Sequence, residues 1–344
     1  MKEIATTEAV GHVLCHDVTQ IIRGEKKGPA FRKGHVIQQE DIPVLLSMGK
    51  DHIYVWEKKE GILHENEAAL ILYDICKNDY MEPSDIKEGK IELRAATDGL
   101  LKIRKDGMMA VNMLGEMMIA SRHNNTVVKK GDVLAGTRII PLVIEEEKMR
   151  KAKEAAGDEP LLKLIPFQKK KAGIVTTGNE VFYGRIQDTF TPVVREKIEE
   201  LGSEVTMESM AGDDKEKIRD EILHMIEEGA QLVVCTGGMS VDPDDRTPGA
   251  IAATGARIIT YGAPVLPGAM MLIAYYEKED GSTVPVLGLP GCVMYAKRTI
   301  FDLVLPRILA DDPITKEEIA SMGVGGLCLN CGTCTFPNCG FGKA

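Results

Sequence analysis

Over the first sixty residues the apolar positions come in short groups. Asp41 is placed to cap a helix carrying Ile42, Leu45 and Leu46, with Gly49 as its stop. Asp51 to Trp56 alternates, with Ile53 and Val55 on one face, as a half-buried strand does. Ala69, Leu72, Tyr73 and Cys76 fall on one helical stripe, with Glu65 and Glu67 in its first turn and Lys77 in its last. From Lys90 to Ile144 the apolar runs shorten. They are split by Asp98-Gly99, Asp106-Gly107, Asn124-Asn125 and Lys130-Gly131-Asp132, the turn chemistry of a β-rich module. Glu145 to Glu159 is charged, has few apolar anchors and reads as a linker, helical in part.

After Lys169-Lys170-Lys171 the period changes. Ile174 to Thr177 reads as a buried strand ending at Gly178. Thr191 is placed to cap a helix with Pro192 in its first turn, a stripe at Val194, Ile198 and Leu201, and Gly202 as stop. Val205 to Met210 is a second strand. Asp213 and Glu216 form a capping-box pattern before a helix carrying Ile218, Ile222, Met225 and Ile226. Leu232 to Cys235 is a third strand and Val284 to Leu287 a later one. Strand and helix in this alternation predict an α/β protein with parallel βαβ units covered on both faces. Ligands of such sheets sit beyond the carboxyl ends of the strands, so the loops after Thr177, Met210, Cys235 and Leu287 are the candidate site. The expected organisation is a small mixed α/β region at 1–60, a helix plus β-rich module at 61–145, a charged linker at 146–171, an α/β domain at 172–312 and a cysteine-rich tail at 313–344.

Composition narrows the partners. The 344 residues carry a formal net charge of −10, which argues against broad nucleic-acid or anionic-membrane binding but not against a small anion in a local pocket. No run of about 18 apolar residues occurs, and Met1 to Thr6 lacks a basic-then-apolar leader pattern. A cytoplasmic protein is the expectation. Cys15, Cys76, Cys235 and Cys292 lie among apolar neighbours and read as buried free thiols.

The stretch from Thr236 to Ala250 carries the most chemistry. Gly237 and Gly238 follow a strand, where paired glycines permit a tight turn and bring backbone N–H groups close to an anion. Thr247 reads as a helix N-cap with Pro248 behind it. Asp242, Asp244 and Asp245 crowd the same loop, and carboxylates beside phosphate call for a divalent cation between them. A phosphorylated ligand held with Mg²⁺ is therefore expected, with Ser240 and Thr247 as hydroxyl donors and Arg246 as a neutralising charge or a partner of a neighbouring aspartate.

Four separated pieces together resemble the molybdopterin-binding domain shared by molybdopterin adenylyltransferase, molybdopterin molybdotransferase and competence-damage-type proteins. They are Thr177-Gly178-Asn179-Glu180 with Gly184 and Asp188, Gly212-Asp213, the Thr236 to Ala250 stretch, and Leu289-Pro290-Gly291, spanning about 172–310. Phe31 to Ile37 more weakly resembles the front of the molybdotransferase. The resemblance implies a three-layer α/β/α fold, often a dimer or trimer, that binds the pterin dithiolene phosphate. It implies that Thr177, Gly178, Glu180, Asp188, Thr236, Gly237, Gly238, Ser240, Thr247, Pro290 and Gly291 line the pterin pocket. Asp213 and Asp245 would hold Mg²⁺ for AMP transfer from ATP. Two departures stand out: Gly237-Gly238-Met239-Ser240 replaces the family's Gly-Gly-Thr-Gly, and Asn179 stands where the molybdotransferase has Asp. Three functions stay open: adenylyl transfer or metal insertion on molybdopterin, a non-catalytic cofactor carrier or sensor, and a nucleotide pyrophosphatase.

Outside the resemblance, Cys328, Cys331, Cys334 and Cys339 follow C-x₂-C-x₂-C-x₄-C on a glycine-rich stretch. Bacterial ferredoxins use a similar run with a shorter last gap, whereas zinc sites more often use two separated pairs. An iron–sulfur cluster, a zinc ion and free thiols are the alternatives.

Overall fold

A computed structural model describes residues 2–22, 26–55 and 60–343. Contacts divide it into two units: residues 2–96, 103–122 and 131–163 make the first, and 97–102, 123–130 and 164–343 the second.

The first unit is built from small antiparallel sheets. Lys2–Ala5 pairs with His52–Val55, whose Ile53 and Val55 are buried as their alternation predicts; Trp56 lies outside the described residues. The helix Asp41–Ser47 buries Ile42 and Leu45, but Asp41 does not cap it. Its carboxylate instead accepts from the Gln38 amide and meets His35 Nε2 at 2.6 Å. A four-stranded antiparallel sheet, ordered Met81–Pro83, Ile91–Ala95, Val133–Ile139 and Met117–Ser121, occupies the predicted β-rich stretch. The helix Glu65–Cys76 buries Ala69, Leu72, Tyr73 and Cys76.

Two expectations fail here. Asp106-Gly107 is not a turn but lies in the helix Lys105–Asn112, where a side chain on Gly107 would meet Leu161 Cδ2 at 2.8 Å. The glycine serves close packing, which its short-range turn signal cannot reveal. The charged stretch read as a linker is the packed helix Glu146–Ala156, anchored by only Met149, Ala152 and Ala156. Small anchors leave a weak apolar stripe, yet they bring the helix close to its neighbours.

The second unit centres on six strands: β1 (Lys171–Thr177), β2 (Glu204–Ala211), β3 (Leu232–Thr236), β4 (Arg257–Tyr261), β5 (Leu272–Glu277) and β6 (Thr283–Leu289). Their order is β2-β1-β3-β6-β5-β4. The first four are mutually parallel, and β5 alone runs the other way, antiparallel to both β6 and β4. The helices are α1 (Asn179–Phe182), α2 (Phe190–Glu200), α3 (Lys215–Glu227), α4 (Thr247–Ala253), α5 (Ile300–Leu309) and α6 (Lys316–Ser321). Strand side chains alternate between two cores. Ile174, Val234 and Leu287 pack with Val194 and Ile198 of α2 and Phe301 of α5. Val175, Val233, Cys235 and Val286 pack with Ile218 and Ile222 of α3 and Ile251 of α4. Both faces of the sheet are thus covered, which is why β1 and β3 read as continuous apolar runs.

Candidate functional site

Register brings the strand ends level. Thr177 pairs with Ala211, Thr176 with Thr236, and Thr236 with Leu289, so the loops after β1, β2, β3 and β6 leave the sheet along one rim. Hydrogen bonds tie these loops together. Asn179 N–H donates to Asp213 Oδ2 at 3.1 Å, and Asp213 N–H to Asn179 Oδ1 at 3.3 Å. Thr177 Oγ1 donates to the Thr236 carbonyl at 3.0 Å and lies 2.9 Å from Thr247 Oγ1, which bonds the Gly237 carbonyl at 2.9 Å. Thr189 Oγ1 contacts Met294 Sδ at 3.1 Å, joining the loop after Asp188 to the turn that follows Pro290 and Gly291.

The double glycine is explained by packing on this rim. Gly237 and Gly238 have φ of 85° and 54°. A side chain on Gly237 would strike the Thr177 carbonyl, and one on Gly238 would lie 2.7 Å from Thr247 Oγ1. The glycines therefore let the β3 loop close onto the β1 loop. Thr236 ends β3 with its Oγ1 buried and without a hydrogen-bond partner. Gly291 is different: it is exposed, its φ is unexceptional and nothing lies within 4 Å of the side chain it lacks, so neither strain nor crowding demands a glycine there.

Several helix starts differ from expectation. Asp188, not Thr191, serves α2: its Oδ1 accepts from the Phe190 and Thr191 amides at 2.8 and 3.1 Å. Thr191 instead pairs its hydroxyl with Thr176 Oγ1 at 2.7 Å. Asp214 caps α3 through the Glu216 and Lys217 amides, which leaves Asp213 to bridge the loops. The signals failed because adjacent Asp residues offer two capping registers and only the loop path selects one. Thr247 is the first residue of α4 rather than its cap, is fully buried, and turns its hydroxyl back to the loop.

The acidic loop forms its own turn. Asp245 is half-buried, its Oδ2 accepts from the Asp242 amide at 3.1 Å, and its N–H donates to the Asp242 carbonyl at 3.0 Å. Asp242, Asp244 and Arg246 are exposed, as are Glu180 and Ser240. Tyr261, on the edge strand β4, was missed by sequence reasoning. Its hydroxyl donates to the Met239 carbonyl at 3.0 Å and lies 3.3 Å from the Ser240 carbonyl. Burial first, then the negative charge of Asp245, holds the Tyr261 phenol above its ordinary range. No local motif marks such a residue, because its role depends on β4 closing the sheet. Met239 explains one departure from Gly-Gly-Thr-Gly. It is 4% exposed and packs in the core, where a side chain on Gly288 would lie 2.5 Å from its Sδ.

Among the described residues, no three His, Cys, Asp or Glu side chains gather closely enough to hold one metal ion. Asp213 and Asp245 belong to no such group, nor do the four tail cysteines. Cys15, Cys76 and Cys235 are buried free thiols as expected, and Cys292 is half-buried.

A family model described as "Probable molybdopterin binding domain" matches residues 173–310. This segment belongs to the molybdopterin-binding domain family. A domain of unknown function matches residues 3–57. A CinA-like protein of Mycobacterium tuberculosis is 39% identical over 77 residues, 22% of this chain and 18% of its own length. One from Mycobacterium avium is 34% identical over 95 residues, 28% of this chain and 22% of its own. The chain thus spans about a fifth of the length of these curated relatives. Among solved structures, the tungsten cofactor synthesizing protein MoaB of Pyrococcus furiosus is 19% identical, with a TM-score of 0.33 over 40% of this chain and 88% of that one. CinA of Thermoplasma acidophilum is also 19% identical, with a TM-score of 0.33 over 41% and 98%. Among the described residues no helix is long and apolar enough to cross a membrane.

Proposed function

We propose that the rim formed by the β1, β2, β3 and β6 loops binds the phosphorylated dithiolene of molybdopterin, and that the chain acts in molybdenum or tungsten cofactor biosynthesis. The observation that carries this reading is the convergence at level strand ends of the glycine turn, the Asn179–Asp213 loop contact and the open surface at Gly291. Gly178, Gly237, Gly238 and Gly291 would offer backbone to the phosphate. Thr177 and Thr247 would shape that backbone through their mutual bond, while Glu180, Asp188, Ser240 and Pro290 would border the ligand.

Asp213 and Asp245 would hold Mg²⁺, which commonly takes one or two carboxylates and completes its shell with water and substrate phosphate. Each is half-buried, and each is oriented by one amide bond to Oδ2. When bound, the ion supplies charge neutralisation between phosphates and carboxylates. The chain's own part is to position pterin and nucleotide; adenylyl transfer from ATP or metal insertion then needs no protein nucleophile. The protein would work as a dimer or trimer in the cytoplasm. A second reading, a carrier that binds cofactor without turnover, is favoured by Met239 lying in the core and Thr247 being closed off.

Incubation with molybdopterin, Mg²⁺-ATP and molybdate tests both. Adenylylated pterin or active cofactor that disappears in Asp245→Ala supports the enzyme. Tight pterin binding without turnover supports the carrier. Absence of pterin binding, or nucleotide hydrolysis that ignores pterin, overturns the assignment.

A further inference from the structure

The cysteine tail is a docked element of the second unit. Leu266 N–H donates to the Gly326 carbonyl and Cys328 N–H to the Leu266 carbonyl, both at 2.8 Å, so the segment entering the motif is laid against the loop before β5. Phe341, just beyond the motif, is 4% exposed in the core that holds α5. Gly325 and Gly342 have φ of 78° and 74°. A side chain on Gly325 would strike the Lys343 carbonyl, and one on Gly342 would strike Leu303. Both ends of the motif are therefore fixed by close backbone packing.

Between these ends Cys328, Cys331, Cys334 and Cys339 all line one cavity of about 470 Å³. Cys328 and Cys339 stand against the core, whereas Cys331 and Cys334 are exposed. Four thiols lining one cavity are the ligand number of an iron–sulfur cluster. The wall carries positive charge. Lys297 Nζ donates to the Gly332 carbonyl, inside the motif, at 3.3 Å. Arg298 lies 5.0 Å from the Phe336 ring and pairs with Asp302 at 2.8 Å. Asp302 is shared with Lys197, and the Glu200 charge also acts on Arg298.

We propose that Cys328, Cys331, Cys334 and Cys339 bind one 4Fe–4S cluster. Four thiolates on such a core make an anionic centre, with Lys297 and Arg298 on its wall and Phe336 beside it as apolar cover. Because Cys339 lines the same cavity as the first three, the fourth ligand serves this centre, unlike two-cluster ferredoxins, where it ligates the other cluster. Lys297 and Arg298 belong to the segment between Pro290 and α5, which places the centre one short loop from the rim.

The test is anaerobic reconstitution of the full chain with equal amounts of ferrous and ferric iron plus sulfide, the oxidation level of a 4Fe–4S core. The expected result is a broad band near ~400 nm and about four iron and four sulfide per chain. The band should disappear in Cys331→Ser/Cys334→Ser, whose exposed positions leave the circular dichroism unchanged. In wild type, mass spectrometry after alkylation should find the four tail thiols protected until a chelator removes the iron. Stoichiometric zinc with no iron uptake, iron retained in the double variant, or thiols alkylated equally before and after chelation would overturn the proposal.

Discussion

Met239 replaces a threonine of the family motif, and its fit against Gly288 can be measured. A methyl on Gly288 would sit 2.5 and 2.6 Å from Met239 Sδ and Cε and 3.2 Å from Leu272 Cβ. Ordinary contact lies near about 3.5–4.0 Å, so Met239 would have to move by roughly 1 Å in a core with little room. Gly288→Ala should therefore cost about 1–3 kcal/mol by overpacking. Met239→Ala leaves a cavity and should cost about 2–5 kcal/mol. In the double variant the new methyl enters the space that methionine leaves. The pair should then be less destabilised than the sum by about 1 kcal/mol or more. Hydrogen exchange of peptides covering Leu232–Thr236 and Thr283–Leu289 reads this within the second unit, about tenfold in protection for each 1.4 kcal/mol. Additivity within about 0.5 kcal/mol would show that the two residues do not share a contact, and the account of Met239 would fall.

Asp188→Ala should weaken the start of α2 by about 1 kcal/mol, seen as faster exchange at Phe190 and Thr191, while Thr191→Val should leave those amides capped. Burial, and then the Lys33 charge, hold the His64 imidazole below 6.5 against the opposing Cys15 hydrogen bond. Its Nε2 lies 2.6 Å from the Cys15 carbonyl, and its Nδ1 accepts from the Asn66 amide and from Lys33, so a proton on Nδ1 displaces both donors. With a depressed folded value, stability of the first unit is present above 6.5 and is lost as pH falls from there through the folded pKa; an NMR titration midpoint for His64 at or above 6.5 would contradict this. Burial pushes the Cys76 and Cys235 thiols up to about 12, so in metal-free native protein a thiol reagent near neutral pH should label Cys331 and Cys334 and spare Cys76 and Cys235.

Periodicity alone located most elements of the second unit, because β1 and β3 are buried on both faces and α2 and α3 carry full apolar stripes. It missed β4 and β5: β4 is half-polar at the sheet's edge, and β5 pairs antiparallel with β6 without a helix between them. Glu146–Ala156 was misread because three small or flexible anchors carry its packing. Caps were located to within one to three residues and then misassigned, since Asp213 and Asp214 differ only in where the chain turns.

The amino-acid sequence by itself determined which loops leave the carboxyl ends of the parallel strands and that glycines, hydroxyls and carboxylates would populate them. Order along the chain and side-chain chemistry suffice for that. Only the tertiary structure decided the direction of each group: Met239 into the core, Thr247 back onto Gly237, Asp188 onto the start of α2, Tyr261 over the glycine turn, and four thiols around one cavity. Those choices rest on distances between segments remote in sequence, which strand register and close packing set and no local spacing encodes.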